Sequence, residues 1–301
     1  MNTLKSLQGP MRVPFLILTP ACVAVGVATA YLQTHQFNWL YILLVLIGAV
    51  AAHITVNAFN EYFDFKSGLD AKTEKTPFSG GSGTLQANPG LEKRTLILCL
   101  TALEITAAIG LFFVLVQGWQ LLPLGMLGLV ILVTYTIWWV KYPILCFIAP
   151  GLGFGILMVM GTHFALTGTY TWTAFIASLV PAFLVSDLLL LNQFPDVEAD
   201  RSVGRRHFPI TMGRKASSII YSAFLILAYL AVIAGVALQL LPWFSLLALL
   251  TVFMAWKTIR GARMNAENIP ALIPAMGANV MVNLITPALL ALGVLIGAFV
   301  G

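Results

Sequence analysis

Long unbroken apolar runs alternate with short polar interruptions from one end of this chain to the other. A helix rising 1.5 Å per residue needs about 20 apolar residues to cross the hydrocarbon of a bilayer. Nine such runs fall near 13–33, 39–62, 94–116, 121–140, 144–166, 172–192, 216–237, 240–257 and 269–299. The last is overlong and carries Pro270, Pro274 and Pro287, which reads as one tilted, kinked helix. The pattern predicts an all-α fold, a polytopic membrane protein built as a nine-transmembrane-helix bundle. A single domain over 1–301 is expected, because the longest polar segment is the loop 64–93. Loops of that length inside a compact bundle are usually functional.

Composition agrees with the pattern and adds an orientation. The chain is 59% hydrophobic and only 9% charged, against roughly 25% charged in a soluble domain. With nine spans, all 16 Lys and Arg residues fall on the same side of the membrane. The positive-inside rule then puts the N-terminus in the cytoplasm and the C-terminus outside, as expected for a bacterial or archaeal cytoplasmic membrane. The opposite loops, such as 117–120 and 167–172, are short and uncharged. The net charge of +5 is therefore a topology signal and not the footprint of a nucleic-acid partner. Cys22, Cys99 and Cys146 lie in or beside apolar runs and read as reduced core cysteines. The first apolar run is too long for a cleavable leader.

In a chain so poor in charge, the acids mark the chemistry. Six of the eleven fall in two stretches, Asn57 to Asp70 and Asn192 to Arg206, each where an apolar run meets a polar loop. His53, Asn57, Asn60 and Asp64 are spaced i, i+4, i+7, i+11, which stacks them on one face of the second helix. Asn192, Asp196 and Asp200 repeat the device at i, i+4, i+8 on the sixth, where Pro195 can kink the helix. Two carboxylate stripes meeting near lipid need a counter-charge. Mg²⁺ fits, because it takes a carboxylate or two from each side and completes its octahedron with water and phosphate oxygens. Arg12, Lys66, Lys72, Lys75, Lys141, Arg201, Arg205 and Arg206 all lie on the right side to neutralise a diphosphate. The segment from Thr76 to Gly83 adds amides and hydroxyls that could wrap an anion.

The run Asn60-Glu-Tyr-Phe-Asp64-Phe-Lys-Ser-Gly68-Leu-Asp70 resembles the first signature of the UbiA superfamily of intramembrane prenyltransferases, in the form typical of its 1,4-dihydroxy-2-naphthoate branch. Asp196-Val-Glu-Ala-Asp200, introduced by Asn192, is similar to the second signature. An Arg-x-Pro start to the first span (Arg12, Pro14) and a Tyr-and-Lys end to the fourth (Tyr135, Lys141) extend the likeness. The resemblance implies that Asp64, Asp70, Asp196 and Asp200, with Asn60 and Asn192, hold two Mg²⁺ ions, with Mn²⁺ able to substitute. These would bridge the diphosphate of an isoprenoid donor bound by Asn57 and the basic residues above. Release of diphosphate leaves an allylic carbocation for a small aromatic acceptor to capture, in an apolar interior opening toward the lipid for the prenyl tail. A 1,4-dihydroxy-2-naphthoate-like acceptor is the first candidate. Pro195 stands where the second signature usually has Arg, so Arg201, Arg205 or Arg206 is expected to replace that phosphate ligand.

Two rival readings share these residues. A UbiA-type terpene cyclase would ionise the same diphosphate but quench the cation internally. An ion-coupled transporter would place its acids near the bilayer midplane on broken helices, whereas here they lie at helix ends. Glu104 and Asp187 sit inside apolar runs and are expected to be structurally paired. His53 reads equally as an acceptor base or a bundle hydrogen-bond partner, His163 as structural, and Asn279 with Asn283 as helix-to-helix glue.

Overall fold

The structure, a computed structural model, describes residues 3–73 and 75–300. Among the described residues, eight helices are long and apolar enough to cross a membrane. They are α1 (Val13–Thr34), α2 (Trp39–Ser67), α3 (Pro89–Gln117), α5 (Pro143–Thr167), α6 (Trp172–Asn192), α7 (Arg214–Ala237), α8 (Trp243–Met264) and α9 (Ile269–Val300), and a shorter apolar helix, α4 (Trp119–Thr134), lies between α3 and α5. The chain is a multi-pass helical membrane bundle. A short helix, Thr3–Met11, precedes α1.

The fourth apolar run departs from expectation. Its helix stops at Thr134 instead of near 140, and the chain reaches Lys141 through wide turns in which Val140 N donates to Tyr135 O at 3.2 Å. A segment of β-branched and aromatic residues, Thr134 to Trp139, loses side-chain freedom in a helix and favours the exit. The last run is one helix, with Pro274 and Pro287 inside it.

Packing is uneven around the bundle. Helix α6 is 72% buried and α3 only 17%. The main core joins Phe147 of α5, Leu184 and Leu191 of α6, Leu225 of α7 and Leu272 and Met276 of α9. Helix α5 approaches α6 so closely that a β-carbon at Gly155 would collide with the backbone of Ala182. Just after Pro150, which lacks an N–H, α5 widens into a π-helical stretch over Leu152–Leu157. In the opposite half α2 packs closely against α3, and a cavity of about 880 Å³ is bounded by α2 to α5 and the flanks of α1, α6 and α9. All three cysteines are free and buried.

At its lower end α2 is stopped by Gly68. With φ of 72° this residue adopts the left-handed conformation that closes a helix, and Leu69 N returns to Asp64 O at 3.0 Å. The turn sends the following loop back across the end of α2, carrying Asp70 with it.

Candidate active site

The first acidic motif keeps its predicted geometry. His53, Asn57 and Asn60 line the cavity on one face of α2, and Asp64 is buried at the end of that stripe. Asn57 Nδ2 donates to Met11 O at 3.0 Å, fixing the chain just before Arg12. Arg12 adopts a left-handed φ of 50°, turns the chain into α1 and lines the cavity. Asn60 Oδ1 accepts from Thr136 at 3.5 Å. Glu61 is fully buried, and Ser82 donates to it from both its backbone N–H, at 3.1 Å, and its hydroxyl. Gln86 Nε2 donates to Asp70 at 2.8 Å. The glycine-rich loop is thus pinned over the end of α2 by acids of the motif itself.

The second motif corrects the sequence reading. Asn192, Asp196 and Asp200 do not share one continuous helix: α6 ends at Asn192, a turn follows, and a separate short helix covers Val197–Ser202 with Asp196 as its N-cap. Pro195 accounts for the break, since a proline there offers no N–H and its ring would clash with the carbonyl of Leu191. The turn around Gly204 then brings Arg205 back, with its N–H on Asp200 O at 3.1 Å. The Arg205 guanidinium donates to Asp200 at 3.0 Å and also to Asp64. One partly buried cation therefore joins the two motifs. His207 Nε2 pairs with the other oxygen of Asp200 at 2.9 Å. A hydroxyl from the loop, Ser79, reaches Asp196.

Burial and mutual repulsion set the charge states. Burial, then the neighbouring Asp200 charge, pushes the Asp196 carboxyl up to about 7. Burial also raises Asp70, with the Gln86 hydrogen bond opposing. For Arg205, burial disfavours the charged form, but Asp64 and Asp200 outweigh it and hold its pKa above the usual arginine value.

Among the described residues no three His, Cys, Asp or Glu side chains converge as a ready metal cage. The donor set suits a hard cation shared with a ligand instead. Asp196 Oδ1 and Asn192 Oδ1 are buried oxygens without a partner, and Mg²⁺ is held by one or two carboxylates together with phosphate oxygens.

The basic residues divide sharply. Arg205 is in the site, and Arg12 borders it with a buried Nε that has no partner among the described residues. Lys72 Nζ donates to Ser202 Oγ at 3.3 Å, tying the loop after the first motif to the second. The Lys75 ammonium lies over Gly83. Lys66 is paired with Glu92 at 2.7 Å and the exposed Arg201 with Glu198 at 3.0 Å, while Lys141 and Arg206 are exposed. The structure thus brings Arg205, and not Arg201 or Arg206, to the carboxylates.

Other expectations fare variously. His163 is held by Thr29 and Thr171 at 3.1 and 3.2 Å, a structural position. Asn283 donates to Asn279 and also lines the cavity. Among the described residues, Asp187, expected to be paired, is fully buried with neither oxygen hydrogen-bonded, and Glu104 is exposed on α3 without an ion pair. Sequence reasoning missed His207 and Gln86, and named Ser82 only as part of the Thr76 to Gly83 segment expected to wrap an anion. Only the position of His207, two residues after Arg205, offered a signal.

The profile of the UbiA prenyltransferase family matches residues 18–273. A 1,4-dihydroxy-2-naphthoate octaprenyltransferase of Bacillus subtilis strain 168 is 28% identical over 294 residues, 94% of this chain and 90% of its own. A 2-carboxy-1,4-naphthoquinone phytyltransferase of Synechocystis is 23% identical, over 83% of this chain and 80% of its own. Among solved structures, an apo UbiA homologue from Aeropyrum pernix K1 superposes with a TM-score of 0.72 at 19% identity, over 92% of this chain and 97% of its own. A UbiA homologue from Archaeoglobus fulgidus, bound to DMAPP and Mg²⁺, gives 0.59 at 11% identity, over 95% and 99%.

Proposed function

From the premise that this chain belongs to the UbiA prenyltransferase family and is a prenyltransferase, we propose that it moves a prenyl group from an isoprenoid diphosphate to a small hydroxylated aromatic, with 1,4-dihydroxy-2-naphthoate as the first candidate. The observation that carries this reading is the bridge from Asp64 through Arg205 to Asp200 at the polar end of an apolar cavity. The two motifs meet there, and among the described residues the cavity lining itself holds no carboxylate.

Asp64, Asp70, Asp196 and Asp200, with Asn60 and Asn192, are the oxygens that would hold two Mg²⁺ ions, or Mn²⁺ in their place. When bound, the metal supplies Lewis-acid neutralisation of the leaving diphosphate. Arg205 and Arg12 draw the diphosphate into the polar end and stabilise the charge it gains as it departs. Lys72 and Lys75 close the loop over it, while Lys66, Lys141, Arg201 and Arg206 contribute attraction from the rim. Asn57 and Asn60 orient the first carbons of the prenyl group. The apolar wall excludes water from the allylic cation until the aromatic carbon captures it. The polar end, with the N-terminus, would face the cytoplasm, in agreement with the charge distribution.

The decisive experiment offers purified protein in lipid a panel of prenyl diphosphates and phenolic acids with Mg²⁺ and identifies products by mass spectrometry. Prenylated aromatic is the expected product. A cyclised terpenoid formed equally with and without acceptor would replace this reading by the cyclase one.

A further inference from the structure

We propose that His53 receives the hydroxyl proton of the aromatic acceptor, with Thr19 as the residue that positions it. The inference rests on the prenyl-transfer reading above and names the acceptor end of the same cavity.

The cavity wall is poor in bases. Among the described residues lining it, the titratable ones are Arg12, His53 and Tyr135, and no carboxylate is present. An arginine stays protonated and a neutral tyrosine has a proton to give, so the imidazole is the one base available. An aromatic carbon becomes a strong nucleophile when its ring hydroxyl loses a proton. A cavity that performs such an alkylation needs a base within reach.

The imidazole ring is held in place by its neighbours. Thr19 and His53 are both buried, and the threonine hydroxyl meets Nδ1 at 2.8 Å. Phe154 packs edge-on against the imidazole, with centroids 4.7 Å apart and planes at 81°. Nε2 has no partner among the described residues. This role requires the tautomer in which Nδ1–H donates to Thr19 Oγ1, which puts the lone pair on Nε2 at the cavity face. His163 makes an informative contrast: both of its nitrogens are bonded, to Thr29 and Thr171, as a purely structural histidine requires.

The register of α2 agrees. His53 stands eleven residues above Asp64 on the same face, roughly 16 Å along the helix, with Asn57 and Asn60 between. A diphosphate anchored at Asp64 directs the carbon next to it toward Asn60 and Asn57. That leaves the stretch up to His53 for the aromatic ring.

Nε2 takes the hydroxyl proton, the ring carbon bonds to C1 of the prenyl group, and the C1–O bond breaks with its electron pair going to diphosphate. The dienone formed loses the proton of the alkylated carbon to the departing diphosphate, and His53 returns its own proton to the oxygen.

The test uses the full chain in lipid vesicles with geranyl diphosphate, Mg²⁺ and 1,4-dihydroxy-2-naphthoate. His53→Gln is expected to lower kcat/KM for the acceptor by about 100-fold or more, while Kd for the diphosphate stays within threefold. The deficit should shrink as pH rises through the ionisation of the acceptor hydroxyl, because a ready-made phenolate needs no base. Thr19→Val should cost about tenfold and Thr19→Ser should restore it. A His53→Gln enzyme within threefold of wild type, or one whose loss is independent of pH and matched by lost donor binding, overturns the inference alone. A wild-type protein that consumes the diphosphate but alkylates no aromatic overturns this and the parent reading together.

Discussion

The two acidic motifs reach the same place by opposite means. The first rides on an unbroken helix, its polar stripe running from the cavity wall to Asp64 and a left-handed Gly68 folding Asp70 back. The second begins where its helix ends, so that Asp196 and Asp200 are placed by a turn, a short helix and the returning Arg205. A helix supplies alignment over distance. A broken segment supplies carboxylates at angles that one helix face cannot, and it costs extra hydrogen bonds to hold them, here from Arg205, His207 and Ser79.

If both motifs serve one centre, removing an acid from either should do equal harm. Asp64→Ala, Asp196→Ala and Asp200→Ala are each expected to lower turnover by at least about 1000-fold, with double variants no worse, as befits groups acting as a unit. Steady-state assays in lipid would break the comparison if one motif tolerated the change. Chelation follows in size: activity should vanish in EDTA and return with Mg²⁺ or Mn²⁺, whereas undiminished turnover in chelator would leave both motifs without a common ligand.

At the bridge both motifs depend on one residue. Arg205→Ala should reduce kcat/KM for the donor by about 100-fold and lower unfolding stability by about 3–5 kcal/mol, because it strands two buried carboxylates. Arg201→Ala, whose partner is exposed, should stay within twofold. Comparing donor affinity and thermal unfolding of the two variants tests this. A smaller effect concerns protons. Asp196, at about 7, is raised, so below that pH its carboxyl holds a proton and does not ligate. The Mg²⁺ concentration for half-maximal activity should therefore climb severalfold between pH 8 and pH 6, and a flat profile would remove Asp196 from the metal. Smallest of all, Ser82→Ala loosens the loop from Glu61 and should raise donor KM by about five- to tenfold, the scale of one hydrogen bond to a charged group only partly expressed.

Much of this was legible in the residues. Apolar runs gave the bundle because hydrocarbon permits little besides helices. The stripe from His53 to Asp64 was readable because α2 is continuous and period follows spacing. The stripe from Asn192 to Asp200 had the same arithmetic and misled, since one proline decides whether spacing means alignment. Pro195 in place of arginine predicted a substitute cation. Choosing Arg205 over Arg201 and Arg206 required the turn at Gly204, which is a tertiary fact. His207 and Ser82 act across folds of the loop and leave no periodic mark.

The thin wall of the cavity has a kinetic consequence. Leu111 on α3 and Leu122 and Met126 on α4 line the interior and are nevertheless 56%, 46% and 52% exposed, so the chamber opens sideways between those helices. A long-tailed donor would then arrive by diffusion in two dimensions. The concentration that governs its capture is a mole fraction in the lipid, and diluting the membrane with inert lipid should slow the reaction at fixed bulk donor, as if substrate had been withdrawn.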